Sequence, residues 1–271
     1  MNLHLVPART GIQWVKLGIQ TFFRQPLALS GLFFMFMAIM SLATQVPMVG
    51  SALALALLPA ATLGLMAATQ EASRGKFPMP SILITAFRAG QQRLQAMMVL
   101  GALYALGFLL IMGISALFDG GKFARLYLVG GQMTRELVMA SDFQTAMWVA
   151  MALYLPLSLL FWHAPALVHW HGVPPVKSLF FSFVACMKNF KAFTLYGLMR
   201  VLVFIFASMV ISSFAALIGN PQVVGVAMVV VPLQVGARAI AFPRAAAASY
   251  WGWLMGSILL LVSYAINGGP A

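Results

Sequence analysis

Long uncharged stretches alternate with short basic corners along this chain. Residues 25–70 contain no Asp, Glu, Lys or Arg. As one helix they would run about 69 Å at about 1.5 Å per residue, roughly twice a hydrocarbon core of about 30 Å. The stretch therefore reads as two crossings, broken at Gln45-Val46-Pro47, where proline stops a helix. This gives spans at 27–44 and 47–69. A third span runs over 94–118 and a fourth over 146–168, with Trp148 near one end and Trp162 and Trp170 near the other, as in an aromatic belt. Residues 201–237 again lack formal charge and are divided by Gly219-Asn220-Pro221, so spans at 192–218 and 222–240 follow. The apolar run 247–266 is long enough for a seventh crossing, but Ser249, Trp251, Trp253 and Gly256 would also suit a surface helix, and both readings stay open. The expected fold is all-α: a polytopic transmembrane bundle of about six spans. Residues 1–26 form a cytoplasmic amphipathic segment, 27–240 the membrane domain and 241–271 a C-terminal segment.

Charge orients this arrangement. Arg9, Lys16 and Arg24 precede the first span; Arg74, Lys76, Arg88 and Arg93 oppose Glu71 in the second loop; Lys177, Lys188 and Lys191 occupy the fourth. The first and fifth turns are uncharged, and in the third loop Lys122, Arg125 and Arg135 are balanced by Asp119, Glu136 and Asp142. Net charge thus alternates positive and zero from loop to loop, as the positive-inside rule requires of a multi-pass protein with a cytoplasmic N-terminus. Ser41-Leu42-Ala43 resembles a signal cleavage site, but the apolar run continues into a second pass, so an uncleaved first helix is expected.

Composition agrees. Hydrophobic residues make up 62% and charged residues 7%, where a soluble domain carries about 45–50% and about 25%. The net charge of +12 would suit nucleic acid, but the basic residues sit in clusters between apolar runs, so no nucleic-acid partner is expected. The partners expected instead are the bilayer itself and anionic phospholipids at the cytoplasmic face, met by Arg24, Arg93, Lys188 and Lys191. A membrane-protein partner or a homo-oligomer is also compatible with the pattern.

Three segments before odd-numbered spans look alike: residues 17–28 (LGIQTFFRQPLA), 85–96 (TAFRAGQQRLQA) and 181–192 (FSFVACMKNFKA). Aligned without gaps, they match Gln25, Arg93 and Asn189, and also Ala28, Ala96 and Ala192. Pro59 and Pro156, then Gly75 and Gly172, recur at a common offset. The pattern predicts a repeated unit in which an amphipathic interfacial helix leads through a polar corner into a span. In the first such helix, Ile12, Val15, Ile19, Phe22 and Phe23 share the apolar face. Ala60, Gly64 and Ala68, and separately Gly101 and Ala105, form small-residue faces suited to close helix contact.

Candidate chemistry is sparse. No carboxylate falls within a predicted span, and no GxxxxGK[ST] loop is present. His163, His169 and His171 lack the helical spacing of a metal pair and read as interfacial residues beside Trp162 and Trp170. No metal, cofactor or catalytic residue is expected. Cys186 reads as a buried or interfacial thiol. Arg200 is the intramembrane polar contact, read either as snorkelling back to the interface or as facing a pathway. Gly120-Gly121 and Gly130-Gly131 bracket an amphipathic piece, Lys122 to Val129, read as a flexible outer loop or as a segment that rests on the periplasmic surface or binds a partner.

The stretches VPARTGIQWVKLGIQTFFRQPLALSG and APALVHWHGVPPVKSLFFSFVACMKNFKAF resemble a betaproteobacterial family of multi-span inner-membrane proteins of unknown function. More distantly, the repeated unit resembles six-helix membrane domains attached to some glycerophosphodiester phosphodiesterases, whose catalytic domain is absent here. The resemblance covers about residues 1–235 and implies an all-helical fold in the bacterial inner (plasma) membrane. It brings no functional residues. The expected role is a non-enzymatic envelope scaffold or accessory protein, with a permease or exporter of a small or lipidic solute as the alternative.

Overall fold

The computed structural model describes residues 4–46, 49–130 and 134–218, which are helical apart from short connections. Five helices in this part are long and apolar enough to cross a bilayer. The first three are preceded or separated by shorter elements in the order α1 (Thr10–Arg24), α2 (Pro26–Thr44), α3 (Gly50–Ser73), a 3-10 helix (Pro80–Arg88) and α4 (Gln91–Asp119). There follow α5 (Lys122–Val129), α6 (Arg135–Met139), α7 (Ser141–Phe161), α8 (Ala164–His171), α9 (Pro175–Lys188) and α10 (Phe190–Ile218). The long helices α2, α3, α4, α7 continued by α8, and α10 fall where the first five spans are expected. The expected sixth span at 222–240 and the segment 247–266 lie outside the described residues.

The core forms where α4 packs between α3 and α7. Leu63, Met66, Leu100, Phe108, Phe143, Ala146 and Ala150 are buried there. Tyr104 and Tyr154 bring their hydroxyls within 3.1 Å across the α4–α7 contact. Lipid tails are as apolar as leucine, so helices in a membrane associate through close packing rather than through expulsion of water. Glycine makes that packing possible. A Cβ on Gly101 would lie 2.0 Å from the Ala56 carbonyl oxygen, so α4 sits directly on the α3 backbone. On Gly64 it would lie 2.6 Å from the Leu83 carbonyl oxygen, so the second small-residue face receives the 3-10 helix rather than another span.

At one end of the bundle, α1, the 3-10 helix and α9 each lead into a long helix. Together they carry Lys16, Arg24, Arg88, Lys177 and Lys188. The α1 helix packs against α10 and α3. Its buried stripe is Gly11, Trp14, Val15, Gly18, Thr21 and Phe22, while Ile12 and Phe23 are exposed. The expected apolar face is corrected accordingly. Gly11 turns inward because α10 comes within backbone contact of it, Trp14, Val15 and Phe22 fill the space beside it, and Ile12 and Phe23 are left for the apolar surroundings. Trp14 packs edge-on against Phe193 and Tyr196 of α10.

The repeat is geometrically real in its first and third units. The chain breaks at Gln25 between α1 and α2 and at Asn189 between α9 and α10, the two aligned positions. The second unit departs from the pattern: its break falls earlier, at Ala89-Gly90, and Arg93 lies inside α4. Gly90 takes φ +90, which lets the corner close early. Gly75 and Gly172 share positive φ values of 78 and 63 at the ends of α3 and α8. Asn189 also clasps the N-terminal segment. It accepts from the Val6 N–H at 2.9 Å and donates to the His4 carbonyl at 3.2 Å.

The fourth long helix is not continuous, because α7 gives way to α8 at Trp162-His163. Pro165, near the start of α8, has no N–H to offer the preceding turn. A break at this depth exposes backbone polar groups that lipid cannot satisfy. Ser182 of α9 fills the gap: its hydroxyl accepts from the His163 N–H at 2.9 Å and donates to the Leu159 carbonyl at 2.8 Å. A hydroxyl is thus inserted into what would be the Leu159–His163 helical hydrogen bond. His163 is fully buried in the protein at this break. Cys186, one turn along α9, lies buried with Sγ 3.9 Å from the same Leu159 carbonyl, and burial pushes its thiol up from the ordinary range.

At the far end of the bundle, Lys122–Val129 is helical where a flexible loop was expected. This helix, α5, packs on α4 and α7 with Phe123 buried. Asp119 holds its start, accepting from the N–H groups of Gly121 at 2.8 Å and Phe123 at 2.6 Å. Ser51 donates to the Leu128 carbonyl at 2.6 Å. Lys122 reaches Asp142 at 2.9 Å, and that hydrogen bond raises the lysine's proton affinity.

Two outcomes follow from the α7–α8 break. Ser182→Ala should lower unfolding free energy in detergent by about 1–3 kcal/mol, the cost of leaving buried backbone groups without partners; an unchanged thermal midpoint would contradict the account. Cys186 in the folded protein should react with a maleimide to at most about a tenth of the extent reached in denaturant; fast native labelling would show that α9 does not cover it.

Candidate functional site

A polar pocket opens at the basic end, between the end of α3, the 3-10 helix, the start of α4 and α8. Its position follows from three local features. Helix α3 stops in a Schellman turn: Lys76 N–H bonds to the Glu71 carbonyl at 3.0 Å, and Gly75 N–H to the Ala72 carbonyl at 3.1 Å. That turn places Glu71 on the last helical turn and directs the chain back across the bundle end. Pro80 then starts the 3-10 helix, which buries Leu83 and Ala86 and is seated on α3 at Gly64. Gly90 finally turns the chain down into α4, with Arg93 in its first turn.

The pocket is a surface groove of about 480 Å³, open to its surroundings. Its polar lining is Glu71, Ser81, Thr85, Arg88, Arg93 and His169, and its apolar wall includes Phe77, Met79 and Ile82. Two guanidinium groups therefore share a cavity with one carboxylate. Glu71 has a cationic neighbour on its own helix end, Arg74, at 3.7 Å, with side chains 30% and 54% exposed. That separation is longer than a hydrogen bond and the pair is open to solvent, so it holds Glu71 weakly. The Thr85 hydroxyl donates back to the Ile82 carbonyl, which leaves its oxygen lone pairs as acceptors. The first-turn N–H groups of α4 add positive potential beside Arg93. The arrangement is suited to holding a phosphate-sized anion next to a cation. The one hydrogen bond of the Thr85 hydroxyl goes to the backbone rather than to Glu71 or His169, and no group of His, Cys, Asp and Glu that could hold a metal occurs among the described residues.

The residues singled out in the sequence divide between this pocket and other places. Arg93 lines the pocket. Arg24 is exposed and donates to the Ser73 carbonyl at 2.8 Å, so it ties α1 to the end of α3 and complements that helix terminus. Lys188 and Lys191 are exposed on either side of Asn189. Arg200 is 2% exposed. Its guanidinium lies 5.0 Å from the centre of the Tyr196 ring and donates to the Tyr196 hydroxyl at 3.2 Å. It is therefore sequestered against a tyrosine one turn away, not extended to the surface as a snorkelling side chain would be. Glu71, Arg88 and His169 were visible as individual polar residues, but nothing in their spacing joins positions 71, 88 and 169 into one cavity. The seating of the 3-10 helix on Gly64 brings Arg88 there, and the packing of α8 against α3 and α4 brings His169.

The chain has a clear relative in a probable inner membrane protein of Burkholderia thailandensis, 42% identical over 202 residues, which covers 73% of this chain and 75% of the relative. Shorter stretches are similar to respiratory oxidase subunits. Heme-copper oxidase subunit I+III of Aeropyrum pernix is 36% identical over 88 residues, 32% of this chain and 9% of that protein. Quinol oxidase subunit 1 of Bacillus subtilis is 44% identical over 50 residues, 18% of this chain and 8% of its own length. The chain thus spans less than about a tenth of either oxidase subunit. No family model and no solved structure matches. The identity and coverage of the first relative, with the long apolar helices, make this chain a multi-pass inner-membrane protein of the betaproteobacterial family to which that Burkholderia protein belongs.

Proposed function

We propose that the protein is a non-enzymatic scaffold or accessory component of the bacterial envelope, with its N-terminus in the cytoplasm and its basic end set in the anionic headgroup layer. The observation that carries this reading is the filled interior. Between α3, α4 and α7 the space is occupied by Leu63, Leu100, Phe108 and Phe143, and backbones touch at Gly101. A solute pathway needs polar groups facing a water-filled passage, whereas this core is apolar and aromatic. The outer faces of the long helices are apolar as well: Leu27, Leu106, Leu110 and Leu117 are 87%, 65%, 65% and 82% exposed. Such faces suit acyl chains or the helices of a neighbouring membrane protein. At the basic end, exposed Arg24, Arg93, Lys188 and Lys191 would each gain about 1 kcal/mol near an anionic surface. The cytoplasmic assignment rests on the charge asymmetry between the ends.

A permease is the second reading, and buried Arg200 inside α10 is the observation in its favour. The two readings differ in where water reaches. On a Cys186→Ala background, single cysteines at 93 and 188 should label with a charged maleimide only from the cytoplasmic side, and one at 130 only from the periplasmic side. Single cysteines along 193–207 should not label from either side. A labelled stripe at helical spacing within 193–207 would establish a water-filled path and overturn the scaffold reading, and labelling of 93 or 188 from the periplasm would reverse the orientation.

A further inference from the structure

The pocket at the basic end combines opposite charges with an apolar wall, and that combination selects a ligand. We propose that it binds the phosphoethanolamine headgroup of a membrane phospholipid, with Arg88 and Arg93 on the phosphate and Glu71 on the ammonium. This deepens the reading above and rests on its placement of the basic end in the headgroup layer.

The volume of about 480 Å³ falls within the range of about 300–1,000 Å³ usual for small-molecule sites. Two guanidinium groups lining one cavity are the expected partners for a phosphodiester, because their planar donor forks match its oxygens. Arg93 sits where the unpaired N–H groups of the first turn of α4 also favour an anion. A phosphate alone, or a headgroup carrying only negative charge and hydroxyls, would bring a second negative charge toward Glu71, whose ion pair is the open contact with Arg74. An ammonium three bonds from the phosphodiester oxygen resolves this. Glu71 has capacity for it, since Arg74 stands 3.7 Å away in an open pair. The Thr85 oxygen, its proton turned toward the Ile82 carbonyl, supplies a second acceptor for ammonium N–H groups.

The apolar side argues for a lipid rather than a soluble ester. Phe77 and Met79 line the same cavity and are each 61% exposed. Ile84 and Phe87, on the adjoining 3-10 helix, are 42% and 46% exposed. Free phosphoethanolamine has nothing to place against these side chains, whereas the glycerol backbone and upper acyl chains of a phospholipid do.

The test uses the full-length protein, delipidated in mild detergent and titrated with dioleoyl phosphatidylethanolamine, phosphatidylglycerol or phosphatidylcholine. Lipid retention is read by native mass spectrometry. The unaltered protein should retain phosphatidylethanolamine about tenfold more tightly than either of the others, the equivalent of one additional charge-assisted contact. Glu71→Gln should erase the preference over phosphatidylglycerol while retaining that lipid, and the Arg88→Gln/Arg93→Gln double variant should lose retention of all three at this site. Soluble phosphoethanolamine at equal concentration should not compete. Tighter binding of phosphatidylglycerol to the unaltered protein would overturn the pocket assignment and leave the basic collar standing. Failure to retain either lipid would overturn both. Competition by soluble phosphoethanolamine would overturn the lipid source. The comparison of lipids on the unaltered protein needs no variant to fold.

Discussion

Contact between helix backbones at glycine is the constraint on which this structure depends. A soluble bundle is gathered by burying apolar surface from water, but inside a bilayer that force vanishes between helices and dispersion at short range replaces it. Three glycines set the geometry. Gly101 seats α4 on α3, Gly64 seats the 3-10 helix on α3, and Gly11 seats α1 on α10, where a Cβ would lie 2.3 Å from the Ala192 carbonyl oxygen. Each contact joins a segment of the basic end, or the helix leading from it, to the membrane core. The pocket is a consequence of the second. Without the flush contact at Gly64, the 3-10 helix could not bring Arg88 and Thr85 to the same cavity as Glu71 and His169.

The bilayer imposes a second demand, that every backbone polar group inside it find a partner within the protein. The α7–α8 break meets it with a side chain from elsewhere, Ser182. This gives α9 a structural task beyond lying at an interface. It closes the helix that precedes it and delivers the chain to α10. Asn189 extends the same corner outward by clasping residues 4 and 6. The third repeated unit is therefore the most heavily tied of the three. The second, shortened to a 3-10 helix and turned early at Gly90, is the one left open enough to form a pocket.

Much of the architecture was legible in the sequence because bilayer thickness and charge segregation act on long windows. The stretch 25–70, free of formal charge and broken near Pro47, could only be two crossings, and α2 and α3 occupy it. Gly120-Gly121 and Gly130 marked the ends of α5, although the order of that helix depended on Asp119 and on the burial of Phe123, contacts that periodicity does not register. The inward face of α1 was misjudged for a related reason. Hydrophobicity identifies the side that water avoids, but where lipid is the solvent apolar residues such as Ile12 and Phe23 can turn outward while Gly11 and Gly18 turn in beside Trp14 and Phe22. The pocket was illegible because its members come from α3, the 3-10 helix, α4 and α8. Arg93 was named for its charge alone, and its neighbours became visible only through a backbone contact.

The most direct test of the glycine contacts is a matched series of Gly→Ala substitutions, read as thermal unfolding of the purified protein in detergent. Gly11, Gly64 and Gly101 have backbone oxygens within 2.0–2.6 Å of the added Cβ, whereas Gly31 and Gly113 have nothing within 4 Å. The account predicts destabilisation of about 1–3 kcal/mol for each of the first three and no loss, or a slight gain from helix propensity, for the last two. Equal effects across all five positions would contradict it.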